Sequence, residues 1–265
     1  MKHYAYNSPF KMKDKEGVEY TLEIEKSNHA EDPREWDNLC SIVCWSSLYY
    51  LGDKHNFENP DEFMQHFYLD VTGKHWCDEH ESDDWQDVYK ALQETDLVLI
   101  KAINLYDHDG ITVSTSNSYP YNDRWDAGIV GFIYVTKKTI FEEGCSLCEK
   151  DENGDYILIE HKHENAPSTY SHKIIPTTEE NWKEVADYYL ESEMETYDQY
   201  VRGNVYRYTL TKTVTEYDIC PHCGEVIREY EDEVEEDSCC GFYGDCIEEN
   251  GILDYLSDLE FVEEE

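Results

Sequence analysis

Cys220-Pro221-His222-Cys223-Gly224 is the segment whose residue types and spacing most directly imply chemistry. Two thiolates two residues apart converge on one ion when the chain reverses between them, and the following glycine relieves the backbone strain of that reversal. This is the pattern of a zinc knuckle, and a tetrahedral structural site needs two more ligands. Cys239 with Cys246 would complete it locally; Cys240, or the distant pair Cys145 and Cys148 in Gly144-Cys145-Ser146-Leu147-Cys148, are the alternatives. The expected cofactor is structural zinc.

Other donor clusters carry less. The order Cys-Pro-His-Cys also occurs at the active site of thioredoxin-like thiol oxidases, where the first Cys opens a helix that lowers its pKa. Here the segment runs into Gly224-Glu225-Val226-Ile227-Arg228-Glu229, a strand pattern followed by an acidic run. His75, Cys77, Asp78 and His80 have metal-donor chemistry without a recognised spacing and read as a solvated loop. Asp107-His108-Asp109-Gly110 begins like a calcium loop, but Ser118 stands where the closing acidic ligand belongs, so a turn between strands is the better reading. Cys44-Trp45 invites a cysteine-hydrolase reading with His108, His161 or His163 as base. A nucleophile should open a helix beside its base, however, and Cys44 lies within an apolar run. No phosphate loop, dinucleotide fingerprint or nucleophile elbow occurs.

The elements that must position these groups follow from periodicity. Gly17 to Lys26 alternates apolar and charged residues as a half-buried strand does. Leu39 to Leu51 is apolar nearly all round after Asp37 or Asn38 and ends at Gly52, which predicts a buried helix. Asn59-Pro60-Asp61 opens a helix towards Tyr68, and Ser82 or Asp83 opens another to about Gln93. Leu97 to Leu105, Ile111 to Ser114 and Ile129 to Val135 have the β-branched and aromatic content of sheet. Asn153-Gly154 marks a hairpin turn within Cys145 to Pro176.

A long helix is predicted from Thr178 to Val201. Its docking face carries Trp182, Val185, Ala186, Tyr189, Leu190, Tyr197 and Val201. Its outer face is an acidic ridge of Glu180, Glu184, Asp187, Glu191, Glu195 and Asp198, the expected partner-binding residues. The ridge covers about 27 Å. Gly203 ends the helix, Asn204 to Thr215 alternates as a strand, a hairpin passes through Cys220 and Cys223, and a short helix lies within Ile247 to Leu256. The fold class is thus α+β: a mixed or mainly antiparallel sheet packed by helices, with a small zinc-knuckle-like hairpin near the C-terminus. Three regions are expected, residues 1–96 with a strand and helical layer, 97–215 with the central sheet and long helix, and 216–265 with the cysteine-bearing hairpin.

Charge dominates the composition. The chain has 61 Asp and Glu against 21 Lys and Arg, a formal net charge of −40, and no Lys or Arg after Arg228. Its aromatic content of 14% nevertheless excludes a disordered acidic tail. Direct nucleic-acid binding is disfavoured electrostatically, whereas basic surfaces are attracted. No apolar run reaches a membrane span, and the start lacks a signal-peptide core, so a cytosolic protein with reduced thiols is expected.

Trp125 to Val135 (WDAGIVGFIYV), Glu195 to Tyr206 (ETYDQYVRGNVY) and Ser238 to Gly244 (SCCGFYG) resemble segments of acidic bacteriophage and mobile-element proteins, across about Leu99 to Cys246. Similar sequences often carry Cys-Trp before Gly-Phe-Tyr-Gly, so Cys240 departs from the pattern and is the weaker ligand beside Cys239. The resemblance lends no activity of its own, but a phage-like origin, taken with the charge and the absence of a catalytic constellation, leads to the expectation of a phage-encoded inhibitor in the host cytoplasm. It would bind a nuclease-type defence complex, such as restriction, CRISPR or Gabija machinery, through an acidic, DNA-mimicking surface, without catalysis. A homodimer or higher oligomer fits the exposed aromatics. A zinc- or cysteine-dependent hydrolase using Cys44 or Cys77, and a phage structural or assembly protein, are the alternatives.

Overall fold

The computed structural model describes residues 2–107, 110–116, 127–162 and 169–262. The fold is α+β with mainly antiparallel sheets. The chain divides into two compact units, one made of Met1–Pro33 with Thr196–Glu265 and the other of Arg34–Glu195. The expected boundaries at residues 96 and 215 do not match this division. Strand pairing joins the N-terminal hairpin to the C-terminal ribbon, which sequence proximity does not reveal.

In the Arg34–Glu195 unit, β3 (Ser41–Cys44), β4 (Val98–Asp107), β5 (Ile111–Ser114) and β6 (Ala127–Thr136) form an antiparallel sheet in the order β3-β6-β4-β5. Helix α1 (Pro60–Thr72) starts where Asn59 accepts from the Glu62 N–H at 2.9 Å, with Pro60 in the first turn and Gly73 closing the helix at φ 73°. After the short α2 (Trp76–Glu79), helix α3 (Trp85–Glu94) is capped by Asp84. Phe63, Phe67, Val88 and Leu92 of α1 and α3 pack with Val43, Ile100 and Phe132 of the sheet.

Helix α4 (Lys137–Glu142) and the hairpin strands β7 (Ser146–Cys148), β8 (Leu158–His161), β9 (Thr169–His172) and β10 (Ile174–Pro176) lead to α5 (Trp182–Val201). Residues alternate across a strand, so Lys101 points away from Ile100 and Ala102. It pairs with Asp187 and Glu191 of α5, which places that helix over the sheet's second face. Trp182, Val185, Ala186 and Leu190 are buried, as the helical period predicts.

The helix expected over Leu39 to Leu51 is instead strand β3 followed by an irregular segment. Ile42 and Val43 are β-branched and pair with Ile133 and Phe132, while Ser46 accepts from the N–H groups of Leu48 and Tyr49 and turns the chain. Leu48 is 76% exposed, so the apolar run does not stay inside. Gly52, at φ 73°, brings the chain back so closely that a Cβ there would lie 2.7 Å from Ile42 Cγ2.

The second unit is a five-stranded antiparallel sheet, ordered β12-β11-β2-β1-β13, from β1 (Phe10–Lys13), β2 (Glu19–Lys26), β11 (Val205–Ile219), β12 (Val226–Tyr243) and β13 (Glu260–Phe261). Its core holds Met12, Leu22, Tyr208, Phe242 and Ile252, the last from α6 (Ile252–Tyr255). Within Ile247 to Leu256 only this single turn is helical.

The N-terminal segment clasps the loop after β12: Ala5 N–H donates to Asp245 O at 2.8 Å and Ile247 N–H to His3 O at 3.0 Å. Partial burial pushes the Glu248 carboxyl up, but hydrogen bonds from the His3 ring at 2.7 Å and the His3 N–H at 3.0 Å overcome this and hold it at about 2. A depressed carboxyl stabilises the fold above its unfolded pKa of about 4.3, and the contribution disappears as pH falls through about 2. Glu248→Gln is expected to cost about 1 kcal/mol at neutral pH, after discounting for solvent screening. The gap to the unsubstituted protein should close as denaturation curves are taken from pH 5 to about pH 2.

Candidate functional site: an acidic ribbon with a thiol tip

Strands β11 and β12 pair along their whole length, but β2 accompanies β11 only from Tyr206 to Lys212. Beyond that point the two strands project as a ribbon. The reason is compositional. Tyr206, Tyr208 and Leu210 are buried on the core face, whereas from Thr213 outwards the ribbon has only scattered apolar residues, of which Val214 and Tyr230 are half-buried and Tyr217, Ile219, Val226, Ile227 and Val234 exposed.

Cross-strand partners share a face. One face therefore carries Thr211, Thr213, Thr215 and Tyr217 from β11 opposite Glu235, Glu233, Glu231 and Glu229 from β12. The other carries Lys212, Val214, Glu216 and Asp218 opposite Val234, Asp232, Tyr230 and Arg228. Lys212 and Arg228 are on this second face, where Lys212 pairs with Glu236 and Arg228 lies over the Tyr230 ring, while Arg207 at the ribbon's base is on the first face, pairs with Glu25 and also feels Glu235. Among the described residues no cation pairs with Glu229, Glu231, Glu233 or Glu235. From Glu229 to Asp237, β12 carries Glu229, Glu231, Asp232, Glu233, Glu235, Glu236 and Asp237. On the face that carries Glu229, Glu231, Glu233 and Glu235 the carboxylates stand roughly 7 Å apart, about every second phosphate position at about 3.4 Å per phosphate on a single strand of DNA. The sequence-derived partner residues did not include this row. Its signal was the alternation of Glu from 229 to 235.

At the tip, Cys220 N–H donates to Glu225 O at 2.8 Å and Gly224 N–H returns to Cys220 O at 2.9 Å, with Gly224 at φ 74°. The N–H groups of His222 and Cys223 turn towards the Cys220 sulfur and lower its pKa, helped by the Cys223 thiol. Cys223 is exposed and its thiol donates to Glu225 Oε2 at 3.7 Å.

The structure does not bring the expected ligands to this tip. Cys239 and Cys240 pair with Tyr208 and Arg207 near the ribbon's base, roughly 40 Å of extended strand from Val226. Cys246 is buried beyond β12, its thiol raised by burial and by donation to Glu248. The alternative ligands Cys145 and Cys148 belong to the other unit. Cys145 precedes β7 with its thiol raised by burial, and Cys148 pairs with Ile174. Among the described residues no group of three or more His, Cys, Asp and Glu side chains is gathered as a metal site.

No protein-family model, curated protein or solved structure matches the chain.

The acidic ridge of α5 is partly neutralised. Asp187 and Glu191 share Lys101, Glu191 also accepts from Thr115 Oγ1 at 2.7 Å, and Asp198 pairs with Arg202 at 3.4 Å. Glu180, Glu184 and Glu195 are exposed without an ion pair among the described residues. Cys44 lies in β3, not in a helix, and burial pushes its thiol up to about 12. His55 reaches the Cys44 carbonyl at 2.9 Å, not the sulfur. His161 contacts Ser171 Oγ at 2.7 Å, while His108 and His163 lie outside the described residues. His80 stacks on Trp76 at 3.7 Å, and among the described residues His75, Cys77, Asp78 and His80 are not gathered as a metal site. Asp109 of the calcium-like turn, and Trp125 and Asp126 of the first phage-like segment, are also outside the described residues. Among the described residues no helix is long and apolar enough to cross a membrane.

Proposed function

We propose that this chain is a non-enzymatic inhibitor that binds a basic, nucleic-acid-handling surface of another protein with its acidic ribbon. The observation that carries the reading is the row Glu229, Glu231, Glu233 and Glu235 on one face of a projecting two-stranded ribbon, of which only Glu235, at the base, feels a cation of that face, Arg207. A β-ribbon is narrow enough to enter a groove built for nucleic acid. A fixed row of carboxylates favours a basic groove and speeds encounter by electrostatic steering. The phage-like segments make the partner a host defence complex of the nuclease type, and the site of action the host cytoplasm. In this reading Cys220 and Cys223 supply two of the four ligands of a structural zinc site at the ribbon's turn.

Co-expression with restriction, CRISPR and Gabija-type systems, followed by plaque counts and pull-down, tests the proposal. The protein should restore phage plating against at least one system and co-purify with one of its nucleases. Replacing Glu229, Glu231, Glu233 and Glu235 together by Gln should weaken that complex about ten-fold or more at physiological salt, because several charge pairs at about 0.5 kcal/mol each are lost. No rescue and no bound partner across the panel would refute it.

A further inference from the structure

The geometry points to a zinc clasp between two copies of this chain: Cys220 and Cys223 of one ribbon tip, with Cys220 and Cys223 of a second copy, bind a single Zn²⁺ tetrahedrally.

The tip is built as half of such a site. Two thiols two residues apart sit on a turn fixed by the Cys220–Glu225 and Gly224–Cys220 hydrogen bonds, with Gly224 at φ 74°. A closed structural zinc site takes four ligands, and the tip supplies two thiolates. The other cysteines of the same unit are held elsewhere by the ribbon's own pairing, Cys239 and Cys240 roughly 40 Å down the strand and Cys246 buried beyond it.

A second copy supplies the missing pair with the same geometry, through a two-fold axis passing through the ion. The way is open: β2 stops pairing at Lys212, and Pro221 through Glu229 are exposed. Assembly converts four thiols and one Zn²⁺ into a zinc tetrathiolate and releases four protons. Asp218, Glu225 and Glu229 lie near each tip and repel their counterparts, so added salt should tighten this contact. Binding of a basic partner through the acidic row should respond in the opposite sense.

The test uses the full chain with a phosphine reductant, titrated with Zn²⁺ while molar mass is followed by light scattering, and with Co²⁺ as optical probe. The expected result is saturation at one metal per two chains, a doubling of mass that a chelator reverses, and the absorption of a tetrathiolate cobalt centre. Cys220→Ser/Cys223→Ser should bind metal at least ten-fold more weakly and keep its mass at the same zinc concentration. One metal per chain without a change of mass would assign the ion to a site closed within the chain, for instance by Glu225, and overturn the clasp. Absence of a thiolate cobalt spectrum, or zinc-driven association that survives the double substitution, would overturn it as well.

Discussion

Arg34→Met is expected to lower the unfolding free energy by about 3 to 5 kcal/mol, the cost of leaving buried charge without its partner. The Arg34 side chain is 5% exposed. Its guanidinium forms a fork with Asp53, Nε to Oδ1 at 2.8 Å and Nη2 to Oδ2 at 3.1 Å, while Nη1 reaches Glu193 at 3.2 Å and Nη2 donates to Cys40 O at 2.7 Å. The carboxylates are committed in turn. Asp53 accepts from the Ile42 N–H at 2.8 Å, and Glu193 from the Leu39 N–H at 2.8 Å. The cluster thus ties the chain before β3, the return after Gly52 and helix α5 to one cation. Burial opposes the charged form of Arg34, but Asp53 and Glu193 raise its pKa, so the pairs outweigh desolvation. Urea denaturation followed by tryptophan fluorescence measures the loss. Adding Asp53→Asn and Glu193→Gln to Arg34→Met should recover part of it, since no unpaired charge is then buried. A loss below about 1 kcal/mol for the single substitution would place the cluster among exposed ion pairs.

Gly131→Ala should cost about 3 kcal/mol by overpacking. Gly131 sits in β6 opposite Cys44 and Ile103, and a Cβ there would lie 2.2 Å from Val43 O and 2.8 Å from Cys44 Cα. Both obstacles are backbone, so β3 has to move away and the Trp45 N–H to Val130 O bond at 2.7 Å is strained with it. Gly128→Ala in the same strand is the control. Nothing lies within 4 Å of its added Cβ, and the change should stay within about 0.5 kcal/mol of the unsubstituted protein. Equal effects of the two substitutions in parallel thermal or urea melts would contradict the close approach.

Local patterns in the sequence identified several elements with little ambiguity. Asn59-Pro60 marks the start of α1 because cap and fixed φ act within one turn, and the two faces of α5 separate because a 3.6-residue period depends only on the chain itself. Leu39 to Leu51 misled for the opposite reason. A short apolar run has no period, and pairing with β6 and the Ser46 turn decided its conformation.

The two-unit division was hidden because β2 finds its neighbour in β11, far along the chain. At the candidate site the turn through Cys220 and Cys223 was legible. The ligand set Cys220, Cys223, Cys239 and Cys246 assumed that neighbours in sequence are neighbours in space, whereas an extended strand carries residues apart at about 3.3 Å each. The acidic run after Arg228 was visible too. Only the β11–β12 register divides it between two faces and puts Glu229, Glu231, Glu233 and Glu235 together on one of them, away from Lys212 and Arg228.

That row is tested most directly by displacement of a labelled DNA from a purified defence nuclease that the protein inhibits, titrated at low and at physiological salt. The protein should compete with the DNA and lose affinity as salt rises. The variant with Gln at 229, 231, 233 and 235 should compete about ten-fold less well and show a shallower salt dependence. Inhibition without displacement of DNA, or equal competition by the variant, would contradict the assignment of the acidic ribbon as the binding surface.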